Sequence, residues 1–513
     1  MLSRARFLLV VLASFTASAA AQHLPALPPD ERAPLGINLS WWTNFHPEWV
    51  FVDAFKGASE WVPQRVVGGP WDTGEPIARR PDGYPAYLNT NQAVAAVMFK
   101  DIGGRYPGGR YLLLWDGDGD LQLRDDAVIV SRSGNRIEAD VTPRDGVILR
   151  IVRTNPQNPV RNIRFIMPGH WDTYQTRPFH PRFLANWRGF RVLRFMDWMR
   201  TGNSHVHWSD RPTPDYFSQA TERGVAVEHM IELANELDAD PWFCFPHLAS
   251  DDYARELARL VASRLERGRR VYLEYSNECW NLSFEQARHC QREGLRLRLS
   301  NDAFEAQLRY YSQRACELFR VAHAELAPTH EVVRVLAGQN ANPWVGATML
   351  DWRDAWREVD ALAVAPYFGY SLGDPARQSE VSQWPVERVL VECWFDLDRT
   401  FQATEGNARV ARQRGVRLIG YEGGQHLVGY GGAENNTALT NLFIAANRHP
   451  LMYVLYSSYL ERWNTIGGDV LAAYYSTGKP SKWGSWGALE WAEQSPYEAP
   501  KYLALRVWLG TGF

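Results

Sequence analysis

The sequence predicts an α/β protein: a (β/α)8 TIM barrel with an antiparallel β-sandwich inserted after the first barrel strand. Three observations lead there. Beyond Trp171, helix-period and strand-like segments alternate regularly. From about Trp61 to Pro168 the texture differs: short alternating runs are bounded by Gly, Pro, Asn and Asp, and no helix-period segment appears. The 513 residues also exceed the roughly 250 that a lone barrel takes, so a further domain has room.

In chain order, Arg4 and Arg6 precede the apolar run Phe7 to Leu12 and the small residues Ala17 to Ala21. That is the layout of a secretory leader, with cleavage expected after Ala21. The run is short of the roughly 20 residues a bilayer demands, so an exported, secreted or periplasmic chain with no membrane contact after cleavage is expected. Residues 22–60 read as a Pro-rich linker followed by a first barrel strand at Leu35 to Trp41. Residues 61–168 form the inserted sandwich, with strand-like runs at Tyr111 to Trp115, Ala127 to Ser131, Arg136 to Val141, Val147 to Val152 and Ile163 to Met167. Asp116-Gly117-Asp118-Gly119-Asp120 between two such runs reads as a tight hairpin turn; it lacks the downstream glutamate of a helical calcium loop.

Residues 169–513 supply the rest of the barrel. Helix Pro181 to Phe190 leads to strand Val192 to Met196, helix Val227 to Leu237 to Trp242 to Pro246, and helix Asp252 to Glu266 to a strand ending at Glu278. A long helical stretch, Phe284 to Ala327, leads to Val332 to Ala337, and Trp344 to Val359 leads to Ala361 to Ala365. Helix Val386 to Arg414, with a break near Gly406, leads to a strand ending at Glu422. In Leu451 to Trp463, Met452, Leu455, Tyr456, Tyr459, Leu460 and Trp463 recur at helical spacing, so the eighth strand is Val470 to Tyr475, and a closing helix spans Pro500 to Leu509.

Composition narrows the function classes. With 55 basic and 58 acidic side chains the formal charge is -3, so no basic excess exists to hold a nucleic-acid backbone, and a neutral ligand is expected. Five cysteines without close-spaced pairs do not suggest a metal site; a disulfide in an oxidising compartment stays possible, without a preferred pair. His205-Val206-His207 lacks a third ligand, and the Gly-rich turns after Glu422 lack the Lys-Ser or Lys-Thr of a phosphate loop. No metal and no organic cofactor is expected. There are 22 tryptophans, 22 tyrosines and 22 phenylalanines, many beside turn residues, and flat indole faces suit the C–H faces of sugar rings.

Two of the strand-like runs, Val271 to Glu278 and Val416 to Glu422, end on a glutamate followed by loop-forming residues. On strands four and seven of one barrel, the two carboxylates share a rim, which is the arrangement glycoside hydrolysis requires.

The Asn-Glu ending strand four and the lone Glu ending strand seven resemble the clan A glycoside hydrolases, the cellulase-like retaining barrels. Tyr275 to Asn281, Arg194-Phe195-Met196-Asp197-Trp198 and Lys482-Trp483-Gly484-Ser485-Trp486-Gly487 resemble segments of exported bacterial proteins often described as cellulose-binding. The resemblance implies Glu278 as general acid/base, Glu422 as nucleophile, Asn277 as a partner of the sugar 2-hydroxyl, and a β-linked glycan as substrate. Carboxyls of a retaining pair must differ in pKa. Arg194, ending strand two, is placed to keep Glu422 ionised, and Tyr367, after strand six, to hydrogen-bond the same carboxylate. Once Glu422 is negative, Glu278 is pushed toward staying protonated. Glu274 is expected to pack or pair with an arginine. His247 and His426 are candidates for sugar hydroxyls, Trp483 and Trp486 for a stacking platform, and Trp41, Trp42, Trp198 and Trp280 for the cleft wall. The alternatives are a non-catalytic carbohydrate-binding barrel, or a transglycosylase with the same pair.

Overall fold

The computed structural model describes residues 31–511; the expected leader and the start of the linker lie outside them. Ala33 onward forms one compact unit. Its centre is a closed barrel of eight parallel strands: Leu35–Asn38, Val192–Arg194, Asp240–Phe245, Arg270–Tyr275, Glu331–Ala337, Ala361–Val364, Arg417–Gly420 and Leu471–Ala473. Each pairs with the next, and the eighth returns to the first through Leu35↔Leu471, Gly36↔Ala472 and Ile37↔Ala473. The strands are apolar on both faces, as helix-covered parallel strands must be. Gly36 is required by closeness: a Cβ there would lie 3.0 Å from the Val192 carbonyl oxygen.

Period-two alternation divides the strands between two cores. Val192, Trp242, Cys244, Tyr272, Val335, Ala363, Ile419 and Tyr421 fill the lumen. Leu193, Phe243, Phe245, Leu273, Tyr275, Leu362 and Leu418 face the surrounding helices.

Between the first and second strands the chain leaves the barrel through a paired stem. Phe51 bridges Phe179 and Asp53 bridges Ile166, with Val52 N–H donating to the Pro178 carbonyl (2.8 Å) and Met167 N–H to that of Val52 (2.9 Å). Two four-stranded antiparallel sheets follow. One orders Val62–Arg65, Gln92–Met98, Val147–Thr154 and Gly119–Asp125; the other Ala127–Ser133, Arg136–Val141, Gly109–Asp116 and Arg161–Ile166. Their inward residues, among them Val94, Tyr111, Leu121, Ile137, Leu149 and Phe165, share one core, so the sheets form a sandwich. Asp116 to Asp120 departs from the expected hairpin, because the strands it joins belong to different sheets. Its carboxylates pair with Arg164 (2.9 Å) and Arg153 (3.0 and 2.8 Å).

Three helices also depart from expectation. The stretch from Phe284 is two helices, Glu285–Arg296 and Ala303–Leu326, because Asp302 caps the second by accepting from Glu305 N–H (2.8 Å). The segment from Trp344 is a short helix, Pro343–Asp351, followed by a 3-10 segment, Trp352–Arg357. Val386–Gln413 runs unbroken through Gly406, where a Cβ would lie 2.6 Å from the Pro343 ring. The glycine serves packing there and does not break the helix. Leu451–Thr465 is helical with Trp463 fully buried, and the last helix is Pro500–Leu509. Among the described residues no helix is long and apolar enough to cross a membrane.

Candidate active site

Alternation along the strands decides which polar groups meet inside the barrel. Arg194 shares an inward face with Val192, and Glu274 with Tyr272, so both enter the lumen, where both are fully buried. The guanidinium commits all five N–H groups. Nε and Nη2 donate to the two Glu274 oxygens (3.0 Å each), and Nη1 donates to Asn38 Oδ1 (2.9 Å) and Glu422 Oε1 (3.0 Å). Nη2 also donates to Asn277 Oδ1 (2.9 Å). A planar fork can hold five acceptor oxygens on four side chains at once, which a lysine could not. With Oδ1 fixed, the Asn277 side chain has its NH2 to offer to a ligand.

Glu422 lies two residues beyond the seventh strand, and its Oε2 accepts from the Tyr367 hydroxyl (3.0 Å). Glu278 lies three residues beyond the fourth strand; its Oε1 accepts from the Tyr421 hydroxyl (3.0 Å) and its Oε2 from Asn281 Nδ2 (2.9 Å). Its loop is strained: Ser276 has φ 58° and Glu278 φ 44°, left-handed values that cost a non-glycine residue on the order of 1–3 kcal/mol each. The following helices hold that conformation. Gln286 Nε2 donates to the Asn277 carbonyl (2.9 Å) and Gln307 Nε2 to the Cys279 carbonyl (2.7 Å).

Burial pushes the Glu422 carboxyl up to about 8, opposed by Arg194 and reinforced by Glu278. Burial also raises Glu278, against its hydrogen bonds from Asn281 and Tyr421. Both carboxyls are thereby pushed toward the protonated form, and two in one cavity resist ionising together. Their donors distinguish them. Glu422 receives a guanidinium N–H and a phenol, whereas Glu278 receives an amide and a phenol, both neutral. A direct charge-assisted bond is roughly twice as strong as a neutral one, so the donor sets favour the charge on Glu422 over Glu278.

Glu278, Glu422, Asn277, Tyr367, His426 and Trp486 all line one cavity of about 560 Å³, with Arg194 beneath them. Burial lowers the His426 imidazole to about 4, so it is neutral at pH 7, and its ring stands edge-on to Trp486 (5.0 Å) and Tyr367 (5.6 Å). His247 and Trp483 are not brought to the cavity. His247 is buried against His289, and the Trp483 ring is 64% exposed, although its carbonyl accepts from Trp486 Nε1 (2.7 Å). Of the other tryptophans expected at the wall, Trp41 lines it, Trp42 and Trp198 are core, and Trp280 packs against the core. Tyr421, Asn281 and Tyr474 were missed by sequence reasoning. The first sits beside Glu422 and the second three residues after Glu278, positions that a search one turn around each glutamate reaches. All five thiols are free and buried, and the described residues contain no group of three or more His, Cys, Asp or Glu suited to a metal ion.

No family model and no curated protein sequence matches the chain. Among solved structures it is similar to a 4-O-α-L-rhamnosyl-β-D-glucuronidase from Fusarium oxysporum, at 10% identity and TM-score 0.39 over 66% of each chain. It is similar to a Bacteroidetes-affiliated GH5 cellulase at 12% identity and TM-score 0.35, over 64% of this chain and 86% of that one. A β-glycosidase from Thermosphaera aggregans matches at 14% identity and TM-score 0.35, over 67% and 85%. The chain spans just under two thirds of the length of the Fusarium protein. Its own strands form the closed parallel barrel.

Proposed function

We propose that the chain is a retaining glycosidase acting on a neutral β-linked glycan, with Glu422 as nucleophile and Glu278 as acid/base. One observation carries this reading: a buried carboxyl, Glu422, and a half-buried one, Glu278, on one cavity wall have unlike donor sets, one bound to a guanidinium and the other to neutral groups only. In the first step a Glu422 oxygen bonds to the anomeric carbon as the glycosidic C–O bond breaks, and Glu278 gives its proton to the leaving oxygen. In the second, Glu278 takes a proton from water as that water bonds to the anomeric carbon and the Glu422 ester bond breaks. Arg194 and Tyr367 hold Glu422 in place for attack, and the Asn277 amide is available to the 2-hydroxyl. Trp486 offers the sugar a flat apolar wall. No step calls for a metal or an organic cofactor. The charged leader pattern at residues 4–21 supports export to where polysaccharide is met.

The test uses 2-deoxy-2-fluoro β-glycosides of several sugars with good leaving groups, followed by mass spectrometry of the digested protein. A glycosyl adduct on Glu422 is expected. An adduct elsewhere overturns the assignment, and the absence of both labelling and hydrolysis across a broad glycan panel favours a non-catalytic glycan-binding barrel.

A further inference from the structure

The cavity extends beyond the carboxylate pair along a wall made by the segments after barrel strands one and two. Trp41, Asp197, Arg200, Asn203 and Glu222 line it there. Four features of this wall play no part in the hydrolysis. Arg200, only 5% exposed, lies with its guanidinium 3.5 Å from the centroid of the Trp41 ring, and that ring is itself 45% exposed. Its Nε and Nη2 donate to the Thr221 carbonyl (3.3 and 3.2 Å) and Nη2 also to that of Trp42 (3.3 Å), yet Nη1 has no partner among the described residues. Asn203 likewise leaves Nδ2 unpaired, while its Oδ1 accepts from His205 N–H (3.0 Å). Buried donors without partners are costly unless something bound there receives them. Arg200 also holds a left-handed backbone, φ 51°, of the kind that persists where surrounding structure enforces it.

The enforcement comes from the inserted sandwich. Tyr216 and Phe217, on the loop that carries Thr221 and Glu222, are buried in the sandwich core, with Phe217 stacked on Trp61 at 5.4 Å. Phe217 N–H donates to the Asp82 carbonyl (2.9 Å) and Gln219 N–H to that of Lys56 (2.7 Å). Gly83 in the insertion has φ 81°, and a Cβ on it would lie 2.5 Å from the Phe217 ring. A rigid path therefore runs from the sandwich core through Phe217 and Thr221 to the Arg200 guanidinium.

We propose that Trp41, Asp197, Arg200 and Asn203 form a second sugar subsite, taking an uncharged pyranose next to the one held between Glu278 and Glu422. The inserted sandwich is the clamp that keeps it in shape. Trp41 provides the stacking face, Arg200 Nη1 and Asn203 Nδ2 the donors that become available as the wall adjusts to the ring, and Asp197 the acceptor. Asp197 and Glu222 already flank the Arg200 charge, so a uronate would meet net repulsion.

This proposal rests on the glycosidase reading, and the experiment separates the two. Wild type, Arg200→Lys, Trp41→Ala and Gly83→Ala are assayed on aryl β-monoglycosides of glucose, mannose and xylose and on the matching β-1,4-linked di- and trisaccharides, with folding checked by circular dichroism. For wild type we expect kcat/KM at least tenfold higher on the trisaccharide of the preferred sugar than on its disaccharide. Arg200→Lys and Trp41→Ala should lower the ratio of trisaccharide to aryl-glycoside kcat/KM at least tenfold. Gly83→Ala should lower it in the same direction, mainly through KM, which a merely structural role would not do selectively. An unchanged ratio in the folded Arg200 and Trp41 variants overturns the proposal, as does tighter binding of galacturonate oligomers than of neutral ones. Should wild type cleave nothing, tryptophan-fluorescence titration with the same trisaccharides decides. Binding lost in Trp41→Ala keeps the subsite and removes the hydrolase; no binding removes both.

Discussion

Arg194→Lys is the most severe test of the site, because it keeps the positive charge and removes only the geometry. The arginine makes five hydrogen bonds of 2.9 to 3.0 Å to Glu274, Asn38, Glu422 and Asn277. An ammonium has three donors converging on one atom, so at least two bonds are lost. Hydrogen bonds to charged groups contribute about 1.5–3 kcal/mol each, so the loss is at least about 3 kcal/mol. If it falls on the transition state, at about 1.4 kcal/mol per decade, kcat/KM drops about 100-fold or more. The lysine is expected to stay with the fully buried Glu274, which leaves Glu422 and Asn277 under-held. Arg194 lowers the Glu422 carboxyl against its burial. Removing that contact raises it, so the acid limb of kcat/KM, where Glu422 gains a proton, should move to higher pH. The assay is steady-state hydrolysis from pH 4 to 10 on the best aryl glycoside, with urea unfolding in parallel. A folded Arg194→Lys protein within tenfold of wild type, or with an unmoved acid limb, refutes the reasoning.

Glu278→Gln should lower kcat by about 10²–10⁴ on poor leaving groups and by much less on dinitrophenolate, which needs no proton; a loss independent of the leaving group would remove Glu278 from the acid role. Tyr421→Phe deletes a donor that holds the Glu278 carboxyl down. The last proton of the pair should then leave at higher pH, with the alkaline limb of kcat/KM moving up and a rate loss of about three- to tenfold; a downward move contradicts the hydrogen-bond assignment. Glu48 is buried with Trp187 Nε1 and the Thr477 hydroxyl on one oxygen (2.7 Å each), and burial raises it to about 7. A carboxyl raised in the folded state binds its proton more tightly than in the unfolded chain. Its contribution is full below about 4.5 and is lost as pH rises through 7. Glu48→Gln should therefore gain stability relative to wild type between pH 5 and 8 in urea melts, and a difference that does not vary with pH would show Glu48 ionised throughout.

The barrel was readable because strand and helix periods differ and each strand is bounded by turn residues. The placement of Arg194 against Glu422 and of Tyr367 on the same carboxylate followed from strand ends alone. Where reading failed, a local signal was outvoted or absent. The run Leu295 to Leu299 favours helix and masked the cap at Asp302, while Gly406 reads as a breaker until Pro343 is seen against it. His247 ends a strand, but alternation past a strand end is lost within a residue or two, so its direction was not encoded. Trp483 and Trp486 lie in a loop with no period at all, and only the second turns inward. Tyr421 was overlooked for the opposite reason, since an apolar-looking residue before Glu422 reads as filling for the lumen. It does fill the lumen, and its hydroxyl reaches Glu278 as well.

The paired stem at Phe51–Asp53 has a consequence for how the chain folds. Asp53 accepts from Phe165 N–H across a separation of 112 residues, yet the two backbones leave the barrel side by side. Closing a loop costs entropy that grows only with the logarithm of its length, about 0.6 kcal/mol for each doubling. Once the stem is zipped, barrel strands one and two are joined as if by a short turn. Away from its contacts with Tyr216 and Phe217, what hangs from it can lengthen, shrink or diverge with little effect on barrel stability. Selection is then free to reshape the overhanging module for the ligand while the barrel beneath keeps its register.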